Sequence, residues 1–230
     1  MKLRLLSLPL LLCPAFVSLA DPPAEPFNGK DLSGWEIKNN AKAKWAVGEA
    51  AVSATNPGAL EAKPGGKALV NAVTGHGQSH DIFSKEKYGD VRLEIEVMVP
   101  KGSNSGIYVM GEYEVQVLDS YGKTKLDQGD MGALYSAAAP PVNASKPAGE
   151  WQKYVIEFRA PKFDEKGMKT ANATFVKVEL NGTVLHQNVE MKGSTGGSLT
   201  GKEAATGPIM FQGDHGAVAF RNLKITPLKQ

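Results

Sequence analysis

The chain is short of cysteine: Cys13 is the only one among 230 residues. A disulfide framework is therefore excluded, as is any site built from several thiolates. It also lacks an excess of either charge. Lys and Arg number 26 against 24 Asp and Glu, so there is no basis for electrostatic capture of nucleic acid or of an anionic membrane. Helical periodicity is missing too, since from Phe27 onward no helix-length stretch repeats apolar residues at i, i+3, i+4 and i+7. The 25 glycines and 14 prolines favour many turns instead.

The one long apolar run lies at the start. Lys2 and Arg4 precede Leu5 to Phe16, a run broken only by Ser7, Pro9 and Pro14, and Ser18-Leu19-Ala20 supplies small residues where a signal peptidase reads them. This pattern predicts a secretory signal over residues 1–20, cleaved after Ala20, and a secreted or periplasmic product. The run is too short and proline-rich to span a hydrocarbon core of ~30 Å. Lipidation at Cys13 is the weaker alternative, because Leu10, Leu11 and Leu12 stand where a lipobox needs small residues. Cleavage would remove the cysteine together with Lys2 and Arg4, leaving 24 residues of each charge. Residues 21–26 then form a short Pro-rich leader, and 27–230 a single domain. No membrane contact is expected after cleavage, and nothing in the sequence indicates an oligomeric state.

Alternation of apolar and polar residues is what recurs. In Val91–Val99 the residues Val91, Leu93, Ile95, Val97 and Val99 share one face, with Arg92, Glu94, Glu96 and Met98 on the other. Tyr113–Val117 behaves likewise, and further strands are predicted at 106–110, 151–159, 174–180, 183–189, 209–212 and 218–226. Asn181-Gly182 is a type I′ hairpin signal between two of them. Residues 142–150 and 191–207 read as loops. Many antiparallel strands in one domain predict an all-β sandwich of two sheets.

Glu114, Gln116 and Asp119 form a polar strip on and just after one strand, and such a strip suits a binding groove. Glu94 and Glu96 are better explained as solvated residues paired with Arg92 or a lysine. Phe211-Gln-Gly-Asp-His-Gly216 sets Gln212, Asp214 and His215 on a glycine-flanked turn, where Asp214 can orient His215. A plain hairpin with a surface histidine explains that turn equally well. His76, His80 and Asp81 are metal-ligand types, but their spacing matches no metal motif. No metal ligands are assigned and no cofactor is called for, although a divalent metal stays open. Trp35 and Trp45 are expected in the core, and Trp151 either in the core or at a binding rim.

Phe27-Asn-Gly-Lys-Asp-Leu-Ser-Gly-Trp35 resembles the opening signature of the 3-keto-disaccharide hydrolase domain family. The likeness continues through Tyr88–Glu96, Asn104–Tyr108, Tyr113–Asp119, Gly132–Tyr135, Lys146–Trp151, Gly207–Ile209, Gln212, Asp214–Gly216 and Phe220–Asn222. It implies a concanavalin-like jelly roll that acts on oxidised sugars outside the cytoplasm. This chain departs from the pattern at Gly213, which separates Gln212 from Asp214, and in a long Ala59–His80 segment. The expected reaction is removal of the C2 proton beside a C3 ketone, loss of the C1 substituent and addition of water. Residue chemistry gives Glu114 and His215, the latter held by Asp214, the acid and base roles. Tyr108, Gln116, Asp119, Tyr135, Gln212 and Arg221 are expected at the carbohydrate substrate, with the option that Arg221 simply pairs with a carboxylate. The rival reading is a non-catalytic, lectin-like carbohydrate-binding module. An enzyme needs Glu114 and His215 on one cavity, whereas a binder needs an exposed aromatic platform.

Overall fold

A computed structural model describes residues 24–229; the expected signal segment and the first residues of the leader lie outside that range. Fourteen strands form in chain order: β1 (Trp35–Ile37), β2 (Trp45–Val52), β3 (Leu60–Asn71), β4 (Ile82–Ser84), β5 (Val91–Met98), β6 (Asn104–Val109), β7 (Tyr113–Leu118), β8 (Gln152–Arg159), β9 (Lys162–Phe163), β10 (Lys169–Ala171), β11 (Ala173–Leu180), β12 (Thr183–Met191), β13 (Met210–Phe211) and β14 (Val218–Pro227). The only helical element among the described residues is a 3-10 turn at Lys38–Asn40.

Two antiparallel sheets carry the fold. The smaller has the order β1-β4-β13-β6-β7 and the larger β12-β11-β8-β5-β14-β3-β2, while β9 and β10 pair separately. The expected jelly-roll sandwich is thus present. Alternation decides the faces. Val91, Leu93, Ile95 and Val97 are buried between the sheets, while Arg92, Glu94 and Glu96 lie half-buried outside. Arg92 pairs with Glu94 and Glu157, and Glu96 with Arg221, so these carboxylates are solvated partners, as expected. From the smaller sheet Ile107, Val109, Tyr113, Val115 and Val117 enter the same core. Trp35, Phe211 and Phe220 stack through it, with centroids 5.2 and 3.9 Å apart, and Trp45 tilts onto Phe220.

Asn181 and Gly182 both adopt positive φ (52° and 86°), as a type I′ turn between β11 and β12 requires. Strands β1 to β4 were not foreseen. In the β2–β3 hairpin the register shifts at Gly48/Glu49, so Pro64–Lys67 bulge out of the ladder. A Cβ at Gly66 would fall on the Glu49 backbone, so the bulge tolerates only glycine there.

Candidate active site

The site starts from one hairpin. In β6–β7 Tyr108 lies opposite Glu114 and Gly106 opposite Gln116. Cross-strand partners share a face, so Asn104, Gly106, Tyr108, Glu114 and Gln116 all turn away from the core that Ile107 and Val115 enter. Gly106 leaves that face bare, because a Cβ there would collide with Glu114 Oε1 and the Tyr108 ring. On this face a cavity of about 130 Å³ is lined by Asn104, Tyr108, Glu114, Gln116, Tyr135, Gly196, Gly197, Gln212 and His215. It has space on the order of ten water-sized positions, which suits one sugar ring better than a chain.

Three segments wall it. Tyr135 is placed by its backbone N–H, which donates to Glu114 O at 3.2 Å along the free edge of β7. Gln212 extends β13 and donates its N–H to Gly106 O at 3.0 Å. The third wall is the loop holding Gly196 and Gly197. The Glu114 N–H donates to Thr195 Oγ1 (3.0 Å), and Thr195 N donates to Glu112 O (2.9 Å). The buried Glu112 carboxylate accepts from Thr200 N, Thr200 Oγ1 and Gly201 N at 3.0, 2.6 and 3.0 Å. Lys38 Nζ donates to Gly197 O and Ser198 O, both at 3.3 Å, and pairs with the buried Asp81 at 3.1 Å.

Within the cavity Glu114 is only 2 % exposed. Its Oε2 accepts from the Tyr108 hydroxyl at 2.8 Å. Burial pushes the Glu114 carboxyl up to about 8; the Tyr108 bond opposes this, and the nearby negative charges of Asp81 and Asp214 add to it. Below that value the group is a carboxylic acid, and with Oε2 engaged its proton belongs on Oε1, beside bare Gly106. Burial and Glu114 together hold Tyr108 far above the usual phenol range, so it acts as a hydrogen-bond donor and not as a base. Its hydroxyl also stands 3.0 Å from Gly196 O and 3.4 Å from Gln212 Nε2. His215 Nδ1 bonds Asp214 Oδ1 at 2.5 Å, an arrangement in which the neutral imidazole carries its lone pair on Nε2. The His76 ring stands edge-on to His215 at 4.7 Å.

Six of the expected residues therefore meet on one cavity: Tyr108, Glu114, Gln116, Tyr135, Gln212 and His215, with Asp214 behind His215. Two do not. Asp119 accepts from Gly102 N at 2.9 Å and holds the β5–β6 turn. Arg221 lies on the larger sheet, bonded to Glu96 at 2.6 Å with its guanidinium 4.0 Å above the Trp151 ring; it pairs with a carboxylate and does not line this cavity. Gly213 also gains a reason. Its N–H donates to Asp81 Oδ1 at 3.0 Å, and a Cβ there would fall on His80 O. Among the described residues no group of three or more His, Cys, Asp or Glu converges as a metal site, and Asp81 is committed to Lys38 and Gly213. Sequence reasoning missed Asn104, Gly196 and Gly197; of these only Asn104 had a signal, its two-residue spacing from Gly106 and Tyr108.

Comparison with known proteins agrees with this architecture. A sequence profile of the 3-keto-alpha-glucoside-1,2-lyase-like domain matches residues 23–226. A Bacteroides thetaiotaomicron protein named 3-keto-disaccharide hydrolase is 27 % identical over 158 residues, covering 56 % of this chain and 50 % of that protein. The aligned part thus spans half of that relative's length. A crystal structure from Parabacteroides distasonis, provisionally assigned as a glycosyl hydrolase, shares 32 % identity with a TM-score of 0.70 over 90 % of this chain and 84 % of that one. A second from the same organism shares the fold at 20 % identity, with a TM-score of 0.61, over 90 % of this chain and 94 % of that one.

Proposed function

Because the chain belongs to the family of 3-keto-alpha-glucoside-1,2-lyase-like domains, we propose that it hydrolyses 3-keto glycosides by elimination and rehydration. One observation carries this reading: the buried, protonated Glu114 and the Asp214-held His215 line the same small cavity. A protonated carboxyl and an imidazole in one site are what acid–base chemistry needs.

In this mechanism His215 Nε2 takes the C2 proton, which the C3 ketone has acidified. The C2–H electrons form the C2=C3 bond and leave negative charge on O3, where the Gln212 amide N–H is placed to donate. That charge then returns as C1=C2 forms and the C1–O bond breaks, and Glu114 protonates the departing oxygen. Water adds at C1 and a proton returns to C2, so the sum is hydrolysis without an oxocarbenium route. Tyr108 holds the carboxyl with Oε1 toward the sugar. Following the leader, the reaction takes place outside the cytoplasm.

The tryptophans give the lectin-like alternative little support: Trp35 and Trp45 are buried, and Arg221 lies over one face of Trp151. The test is aglycone release from nitrophenyl 3-keto-glucoside and from its unoxidised parent. The wild type should cleave only the ketone, and Glu114→Gln should lose about a hundredfold to ten-thousandfold in kcat. A folded Glu114→Gln protein with wild-type turnover would end the proposal.

A further inference from the structure

The cavity floor holds an unmet acceptor. Gln116 is 3 % exposed, and its Nε2 donates to Asn104 Oδ1 at 2.8 Å. That bond fixes the amide plane, yet Oε1 is buried with no hydrogen-bond partner. A buried polar atom left alone costs stability, and most are satisfied in native proteins. Gln116 lines the cavity beside Gly106, which offers no side chain to meet that oxygen. A free acceptor in a sugar-sized space calls for a donor on the ligand, and on a neutral sugar the donors are hydroxyls.

The strand geometry selects which hydroxyl. Glu114 and Gln116 are successive residues on the same face of β7, hence roughly 7 Å apart along the strand. That distance is comparable to the width of a pyranose ring. With Glu114 at the oxygen on C1, Gln116 stands at the opposite end of the ring. The C3 oxygen is a ketone and has no proton to give, and the hydroxyl carried directly on the ring atom across from C1 is the one on C4. We propose that Gln116 Oε1 accepts a hydrogen bond from the C4 hydroxyl of the keto sugar, and that this contact restricts the enzyme to sugars free at C4. Glycans substituted at that position are rejected. This deepens the hydrolase reading and rests on it for the orientation of the ring.

The test uses ligands that cannot be eliminated. Methyl 3-deoxy-glucoside keeps the C4 hydroxyl, and methyl 3,4-dideoxy-glucoside lacks it. Both are titrated by NMR into the wild type and into Gln116→Met, which keeps the volume and removes the acceptor. The wild type should bind the first about tenfold more tightly than the second, and Gln116→Met should bind the two alike. A penalty for the missing hydroxyl that persists in Gln116→Met would overturn the inference. Equal binding of both sugars by the wild type, or binding of neither, would do so as well. Failure of the hydrolase reading is seen separately, as no aglycone release from the 3-keto glucoside by a protein that still shows the C4 contrast.

Discussion

Glu114→Gln should make the protein more stable in alkaline solution than the wild type, and no more stable in acid. The carboxyl has an ordinary value of 4.5 and is pushed up to about 8 in the fold. Between those limits the unfolded chain has released the proton and the folded chain has kept it. Fewer protons are bound in the unfolded state, so stability falls as pH rises across that window and is level above it. At roughly 1.4 kcal/mol per pH unit the full window is worth at most about 5 kcal/mol. Relaxation and water entry around the charge bring the expected gap to about 2–4 kcal/mol. Glutamine keeps an acceptor for Tyr108 and has no proton to lose, so the variant lacks the decline. Urea unfolding of both proteins at pH 5 and pH 8.5 measures it as the change in their stability difference. The reasoning fails if the difference is the same at both pH values, or if the wild type gains on the variant as pH rises.

Three further outcomes follow from the same geometry. Tyr108→Phe removes the bond that holds the Glu114 carboxyl down, so the alkaline limb of the pH–rate profile should move upward while kcat falls about tenfold to a hundredfold; an unmoved limb would break the link. Glu112→Gln weakens the anchor of the 195–201 loop, costing about 1.5–3 kcal/mol by denaturation and speeding proteolysis within that loop; equal cleavage rates would argue against the anchor. Arg221→Met should leave turnover within about twofold and cost about 1 kcal/mol of stability through the lost Trp151 and Glu96 contacts. A large kinetic defect in that variant would put Arg221 back at the substrate.

The elements legible in the sequence are those with one buried and one wet face. Strand β5 alternates because its odd positions fill the core and its even positions carry surface ion pairs. Strands β2 and β3 hid because Pro64–Lys67 bulge out of their ladder and break the two-residue period. Strands β1 and β4 are three residues each, too short to show any period. At the site, Glu114, Gln116 and Tyr108 were readable because one hairpin sets them together. Arg221 could not be placed from the sequence because alternation reports which side of a strand faces out, never which sheet the strand joins. The structural roles of Lys38, Asp81 and Glu112 were hidden for a different reason. Their partners, such as Gly213, Gly197 and Thr200, lie far along the chain, and only the closed fold brings them near.

The hairpin that carries Tyr108, Glu114 and Gln116 has a consequence for the order in which the protein assembles. Its contacts are local, whereas the segments bearing Gly196, Gly197 and His215 return through long loops, and local contacts cost less chain entropy to close. In any state with the hairpin formed and those segments undocked, Glu114 meets water and ionises as an ordinary carboxylate at neutral pH. Glu114 therefore keeps its proton only while those segments are docked, and each local opening of the cover releases it. A site built this way carries no poised proton donor until it is shut.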